Sequence, residues 1–292
     1  PKLITLRNTG MDKFNPSYSL SVETIQGTTL LIEPPFTLQL DVTRNVLSSA
    51  NVSVFKILNL SATNRNKIRK NRWDYGDIRK ISVRAGYGDN LPVIFSGDVS
   101  RCFSVRDGNN MVTQIECFDA GFAFANATVS QQFPAGTDQR TVIQTILQSL
   151  PDVSVGSVGN YSGQISRGNS YSGAATDILR EISGGGFFID NGKAHVLKDD
   201  EVLPGAIQVI NSASGLLGTP VVEETYINFE MLFEPRLVIG QAVKIESITA
   251  ENFNGTYKVV SLRHSGIISE AVGGDLITSV GLFAPGFLTL VS

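Results

Sequence analysis

The stretch GGGFFIDNGKAHVL, residues 184–197, places three glycines beside Asp190, Lys193 and His195, the last being one of only two histidines in the chain. Such residues could cradle a phosphate or shuttle a proton. Their order argues against it. A phosphate loop puts its glycines after a strand and before a helix, so that the first helical N–H groups meet the anion. Here Ala175, Ile178, Leu179 and Ile182 form an apolar stripe at helical spacing that precedes Gly184, Gly185 and Gly186. The glycines therefore sit at the partly negative end of a helix dipole. The reading that remains is a glycine C-cap followed by a hairpin turning at Asn191–Gly192, with Phe187, Phe188 and Ile189 leading in and Ala194 and Val196 leading out. The two phenylalanines are then packing residues of this region. His195 becomes a sheet residue whose replacement by alanine is expected to leave function unharmed.

Other chemistry is equally sparse. His264 lies in an alternating, strand-like run, and no G-x-S-x-G elbow occurs. Asp199, Asp200 and Glu201 are the only acidic cluster of note, expected to form a solvated turn rather than a metal site. The 27 acidic residues could supply paired carboxylates for glycoside hydrolysis, but no pair is marked out. Cys102 and Cys117 are too few for a disulfide scaffold and match no zinc spacing. With a turn at Gly108–Asn109 they fall diagonally on one face of neighbouring strands, as buried thiols. No catalytic residue, cofactor or metal is expected, and the chain does not read as an enzyme.

One local charge feature remains. NRNKIRKNRW gathers Arg65, Lys67, Arg69, Lys70 and Arg72 beside Trp73, with Arg79, Lys80 and Arg84 soon after. This stretch could track a nucleic-acid backbone, meet an acidic protein surface, or be a solvated helix face. A net charge of −3 gives no global attraction to nucleic acid or to an anionic membrane. We take the stretch as a candidate subunit contact and expect neither a membrane nor a sequence-specific nucleic-acid partner.

The elements that must carry these residues are mostly strands. Val, Ile, Thr, Phe and Tyr are plentiful and apolar residues recur with a period of two, as in FTLQLDV, where Phe36, Leu38, Leu40 and Val42 alternate with polar neighbours. Three helices interrupt the pattern: a short one near 61–71 capped by Ser61, one near 138–150 and one near 172–183. The start of the chain has no apolar leader with a cleavage site, and no apolar run approaches the roughly 20 residues that span a bilayer, so a soluble chain is expected. The organisation is a β-rich unit over 1–125, a small α/β insert over 126–205 and a second β-rich unit over 206–292.

The succession PPFTLQLDVTRN, NVSVFKILNLSATNRNKI, ISVRAGYG, IFSGDVSRCFSVRDG and TQIECFDAG resembles the N-terminal half of baseplate hub proteins of contractile-tailed bacteriophages. SGLLGTP, LFEPRLVIGQAVKIES and NGTYKVVSLRHSG are similar to the later tube-like domain of that family. The resemblance implies a mainly β fold with an α+β insert, in which two tail-tube-like antiparallel β-barrel or sandwich domains flank the α/β region. It implies a structural virion protein of the tail baseplate, assembled in the host cytoplasm, that forms a homotrimeric ring. That ring would join the sixfold tail tube protein to the threefold central spike protein, with the tape measure protein and other baseplate proteins as further contacts. No lysozyme domain of the kind some hubs carry is visible. Another tube-like tail protein, such as a distal tail protein or tube initiator, and a tail-associated glycan hydrolase stand as alternatives.

Overall fold

In the strand Leu38–Asn45, Leu38, Leu40 and Val42 are buried while Gln39, Asp41 and Thr43 are not, the alternation that a half-buried strand requires. The same parity carries one residue further, to a buried Arg44. The computed structural model describes residues 5–6, 13–47, 50–74, 76–223, 226–284 and 288–291.

Most strands join one 14-stranded sheet. From one edge it runs through Thr29–Ile32, Pro16–Glu23, Lys80–Tyr87, Val93–Asp107, Asn110–Phe118, Val52–Leu58 and Leu38–Asn45 to the long strand Gly255–Ile268. There it forks. One branch continues through Ala242–Ile245, Ile207–Ile210 and Thr5–Leu6, the other through Leu276–Phe283, Tyr226–Leu232 and Leu216–Glu223. Pairing is antiparallel except where Ile207–Ile210 meets its two neighbours. Where barrel or sandwich units were expected, these strands join one large, mainly antiparallel sheet that is not a closed barrel. The cause is the long strand, whose residues 255–258 pair with Ala242–Ile245 while residues 261–268 pair with Leu38–Asn45, so one hydrogen-bond ladder runs on from the early segment into the late one.

A bulge lies in this strand between Val259 and Ser261. Before it, Val259 points into the core; after it, Leu262, His264 and Ile268 do. The inward parity changes from odd to even across one extra residue.

Buried apolar side chains form three main clusters. The first draws on Tyr18 to Cys117 and adds Phe233 and Ile268 from late in the chain. The second runs from Ala120 to Val196, and the third from Phe188 to Val291. Phe187 and Phe188 therefore face different cores, and only Phe187 packs within the insert region as expected of both. Adjacent residues of a strand point to opposite faces, which is why the pair divides.

The helices are shorter than their sequence patterns suggest. Ala62–Ile68 is capped by Ser61, whose hydroxyl accepts the Asn64 N–H. Gln139–Leu147 starts after Asp138, whose carboxylate takes the Gln164 amide instead of capping. The helix expected from 172 begins only at Ala175, because Asn169–Ala174 pairs as a strand with Thr128–Phe133 and Gly173 holds φ 136, a value closed to a helix. Gly184 (φ 66) caps Ala175–Ser183, and the Gly185 N–H reaches back to the Arg180 carbonyl. Phe187–Asp190 and Lys193–Val196 pair across Asn191 and Gly192, both at positive φ as a two-residue I′ turn needs. Cys102 and Cys117 are buried thiols on neighbouring strands, opposite Ile115 and Val99 respectively. No helix among the described residues is long and apolar enough to cross a membrane.

Candidate assembly sites

The Asn191–Gly192 hairpin divides its apolar residues between the second and third cores and is held by polar side chains of the first β segment. The Arg44 guanidinium, fully buried, donates through Nη1 to Asp190 Oδ1 and Oδ2 at 3.0 and 3.2 Å, and through Nη2 to the Leu237 carbonyl at 3.2 Å. Nη2 also lies 3.4 Å from His264 Nε2. Because an arginine only donates, this nitrogen accepts, and the imidazole proton sits on Nδ1, 2.9 Å from the Thr278 hydroxyl. Burial and the adjacent guanidinium hold the His264 pKa well below the ordinary value, which agrees with a neutral ring.

Two more side chains of the first β segment grip the same hairpin. Asn51 donates to the Ile189 carbonyl at 3.2 Å, and the Asp119 carboxylate accepts the turn N–H groups of Asn191 and Gly192 at 2.6 and 3.1 Å. Burial, reinforced by the charge of Asp190, pushes the Asp119 pKa up to about 7 against the pull of those two N–H groups. On the other strand His195 stacks on Phe188 at 5.2 Å and accepts the Ser157 N–H through Nδ1 at 3.0 Å. Desolvation lowers its pKa. Both histidines thus act as hydrogen-bonded packing groups, each held against an aromatic ring.

Among the described residues no group of three or more His, Cys, Asp or Glu is placed to hold a metal ion. Glu201 departs from the expected solvated turn: it is buried, and its carboxylate accepts the backbone N–H groups of Asn160 and Lys198 at 2.6 and 2.8 Å. Asp199 and Asp200 remain exposed. A surface groove of about 590 Å³ lies over the solvent face of the sheet and is lined by Thr43, Asn228, Glu230, Ser261, Arg263 and Ser279 among others. Its charges are spent locally. Arg263 holds Asp41 through two bonds of 2.8 and 2.7 Å, and Glu230 accepts the Ser279 hydroxyl.

The basic stretch is only partly a surface. Lys67, Arg69 and Arg72 are exposed, and Arg65 is half-buried with Nη1 on the Leu60 carbonyl. Lys70 differs from the rest of the stretch. It is buried and donates to the Val99 carbonyl at 2.6 Å, so it is a structural tether between the chain after the helix and the strand Val93–Asp107. Sequence reasoning also passed over Arg44, Asp119 and Asp190 as a group. The parity of FTLQLDVTR carried a signal for the first, since Arg44 continues the dry face of Leu38, Leu40 and Val42.

With the geometry in hand, the comparisons fit a structural protein. A sequence model of the family described as baseplate hub gp41 matches residues 20–269. No curated protein matches the chain by sequence. Among solved structures, the 43 kDa tail protein of prophage MuSo2 from Shewanella oneidensis is similar with a TM-score of 0.59 at 8% identity, covering 91% of this chain and 96% of that one. A tail protein from Neisseria meningitidis MC58 has a TM-score of 0.58 at 10% identity, covering 92% and 97%. A chain of the Francisella PdpA-VgrG complex has a TM-score of 0.54 at 7% identity, covering 96% of this chain and 59% of that one. At such identities the likeness is one of fold.

Proposed function

Since the chain belongs to the baseplate hub gp41 family and is a structural component of a phage tail or baseplate, we propose that it forms a homotrimeric hub joining the sixfold tail tube to the threefold central spike. In this reading residues 1–125 and 206–292 are two tube-like units and residues 126–205 are the insert wedged beside them. The observation that carries it is the shared strand Gly255–Ile268, which ties an early and a late set of strands into one sheet. A chain built this way offers two related but unequal wall segments, and three copies then present six to a sixfold neighbour. Closure uses different surfaces of each copy.

The sheet supplies suitable edges. Thr29–Ile32 and Leu216–Glu223 each pair on one side only among the described residues, with Leu31, Leu217, Val221 and Val222 exposed. Edges of this kind are an aggregation hazard unless a further strand covers them. Tail tube protein, central spike protein and, inside the ring, the tape measure protein are the partners this role requires, met during assembly in the host cytoplasm.

Measuring the mass of the purified full chain and imaging the particle in negative stain tests the proposal. A closed trimer is expected. A hexameric ring would instead favour a distal tail protein or tube initiator. Turnover of peptidoglycan or surface polysaccharide, abolished by one carboxylate substitution, would favour a glycan hydrolase.

A further inference from the structure

Two exposed patches of opposite charge lie at opposite ends of the long strand. At its Ile268 end, Ser269 Oγ is 2.7 Å from Thr37 Oγ1, and the Thr37 carbonyl accepts the N–H of Leu58, three residues before Ser61 caps the basic helix. Around that helix Lys67, Arg69 and Arg72 are exposed, and two large apolar side chains stand with them: Trp73, 74% exposed, and Ile25, 66% exposed, whose N–H is bonded to the Lys67 carbonyl at 2.9 Å. At the Gly255 end, the loop 246–254 carries exposed Glu246 and Glu251 on either side of Ile248, which at 82% is the most exposed large apolar residue described.

The loop is braced. Asn254 accepts the Ser247 N–H at 2.6 Å and donates back to its carbonyl at 3.2 Å, while the Ser247 hydroxyl accepts the Ala250 N–H at 3.2 Å. Ile248 is therefore presented in a set conformation, and little ordering cost remains for docking. Glu246 is paired with Lys244 on the same surface, an exposed contact that a second cation can share.

Within one chain the patches are separated by a strand of 14 residues, roughly 40 Å at the usual rise, and do not meet. Between copies they can. We propose that the basic corner of one copy receives the acidic loop of a second copy of this chain, with Ile248 seated against Ile25 and Trp73, and Glu246 and Glu251 facing Lys67, Arg69 and Arg72. This rests on the oligomeric hub reading and names one of its contacts. The contact is heterologous, so each copy uses its corner for one neighbour and its loop for the other. The apolar centre sets the fit, and the charged rim sets approach and register.

Sedimentation of the purified full chain across concentration and salt tests it with three variants. Lys67→Glu/Arg69→Glu/Arg72→Glu and Glu246→Lys/Glu251→Lys are each expected to weaken self-association by about tenfold or more at low salt, with the wild-type affinity falling as salt rises. The chain carrying all five reversals exchanges the two signs and is expected to recover most of that loss, which also shows that the substituted chain folds. Wild-type association in either one-sided variant, or no recovery in the combined one, overturns the contact. A trimer indifferent to each one-sided set of reversals removes this contact and leaves the hub standing; a wild-type chain that stays monomeric at every concentration removes both.

Discussion

Arg44 and Asp190, 146 positions apart, meet in a buried ion pair at 3.0 Å that fastens the hairpin of the insert to a strand of the first β segment. Both charges are withdrawn from water, so losing one strands the other. Asp190→Ala or Arg44→Ala is expected to lower unfolding free energy by about 3–5 kcal/mol in urea titration. The double change Arg44→Met/Asp190→Leu is expected to cost less than the sum of its parts, since it leaves no lone charge behind.

Asp119 makes the same junction sensitive to pH. Burial and Asp190 raise its folded pKa to about 7, above the ordinary carboxylate value, so the folded state holds a proton that the unfolded chain releases. Its contribution is full at acid pH below the ordinary value and declines as pH rises towards 7. Comparing urea stability with Asp119→Asn between pH 4 and 7 is expected to show the wild type losing ground as pH rises, while the variant, with no group to ionise there, changes less.

His195→Ala carries a stability penalty that the sequence reading did not foresee. The imidazole is buried, accepts the Ser157 N–H and stacks on Phe188, so its removal leaves a donor unpaired and a ring uncovered. A loss of about 1–3 kcal/mol is expected in thermal or denaturant melts. His195→Asn places an acceptor near the position of Nδ1 and is expected to recover part of it.

Lys67 and Lys70 are neighbours in a basic run with opposite roles. Lys67→Ala removes an exposed charge and is expected to change stability by less than about 0.5 kcal/mol. Lys70→Ala removes the donor to the Val99 carbonyl and is expected to cost about 1–3 kcal/mol, read from the same denaturation curves.

Phe188→Ala tests the union of the insert with the late strands. The ring is buried among residues of the third cluster, so truncation is expected to cost about 3–5 kcal/mol. Limited proteolysis is expected to cut first around the insert, because the lost packing lies between it and the rest.

Local chemistry was legible in the sequence. The Asn191–Gly192 turn, the Gly184 cap, the Ser61 cap and the dry face of Leu38, Leu40 and Val42 each follow from a few adjacent residues. Residues 172–174 misled because their strand exists only by pairing with residues 128–130, more than 40 positions earlier. The hairpin junction was hidden for the same reason: Arg44, Asp119, Asp190 and His264 are brought together by topology, and no local spacing announces it. The Lys70 tether, too, depends on a strand that passes 29 positions later.

The bulge between Val259 and Ser261 bears on how this chain can vary over time. Because inward parity is odd before it and even after it, the two halves of the strand are one residue out of phase, and the bulge absorbs the mismatch. Deleting Val260 itself would leave Val259 and Leu262 both inward in a regular ladder, whereas deleting a residue elsewhere in the strand, with the bulge kept, would turn one half inside out and expose either Val259 or Leu262 and His264. Insertions and deletions should therefore accumulate in the loops and spare this strand, whose length is a fixed count shared by two neighbours with opposite demands.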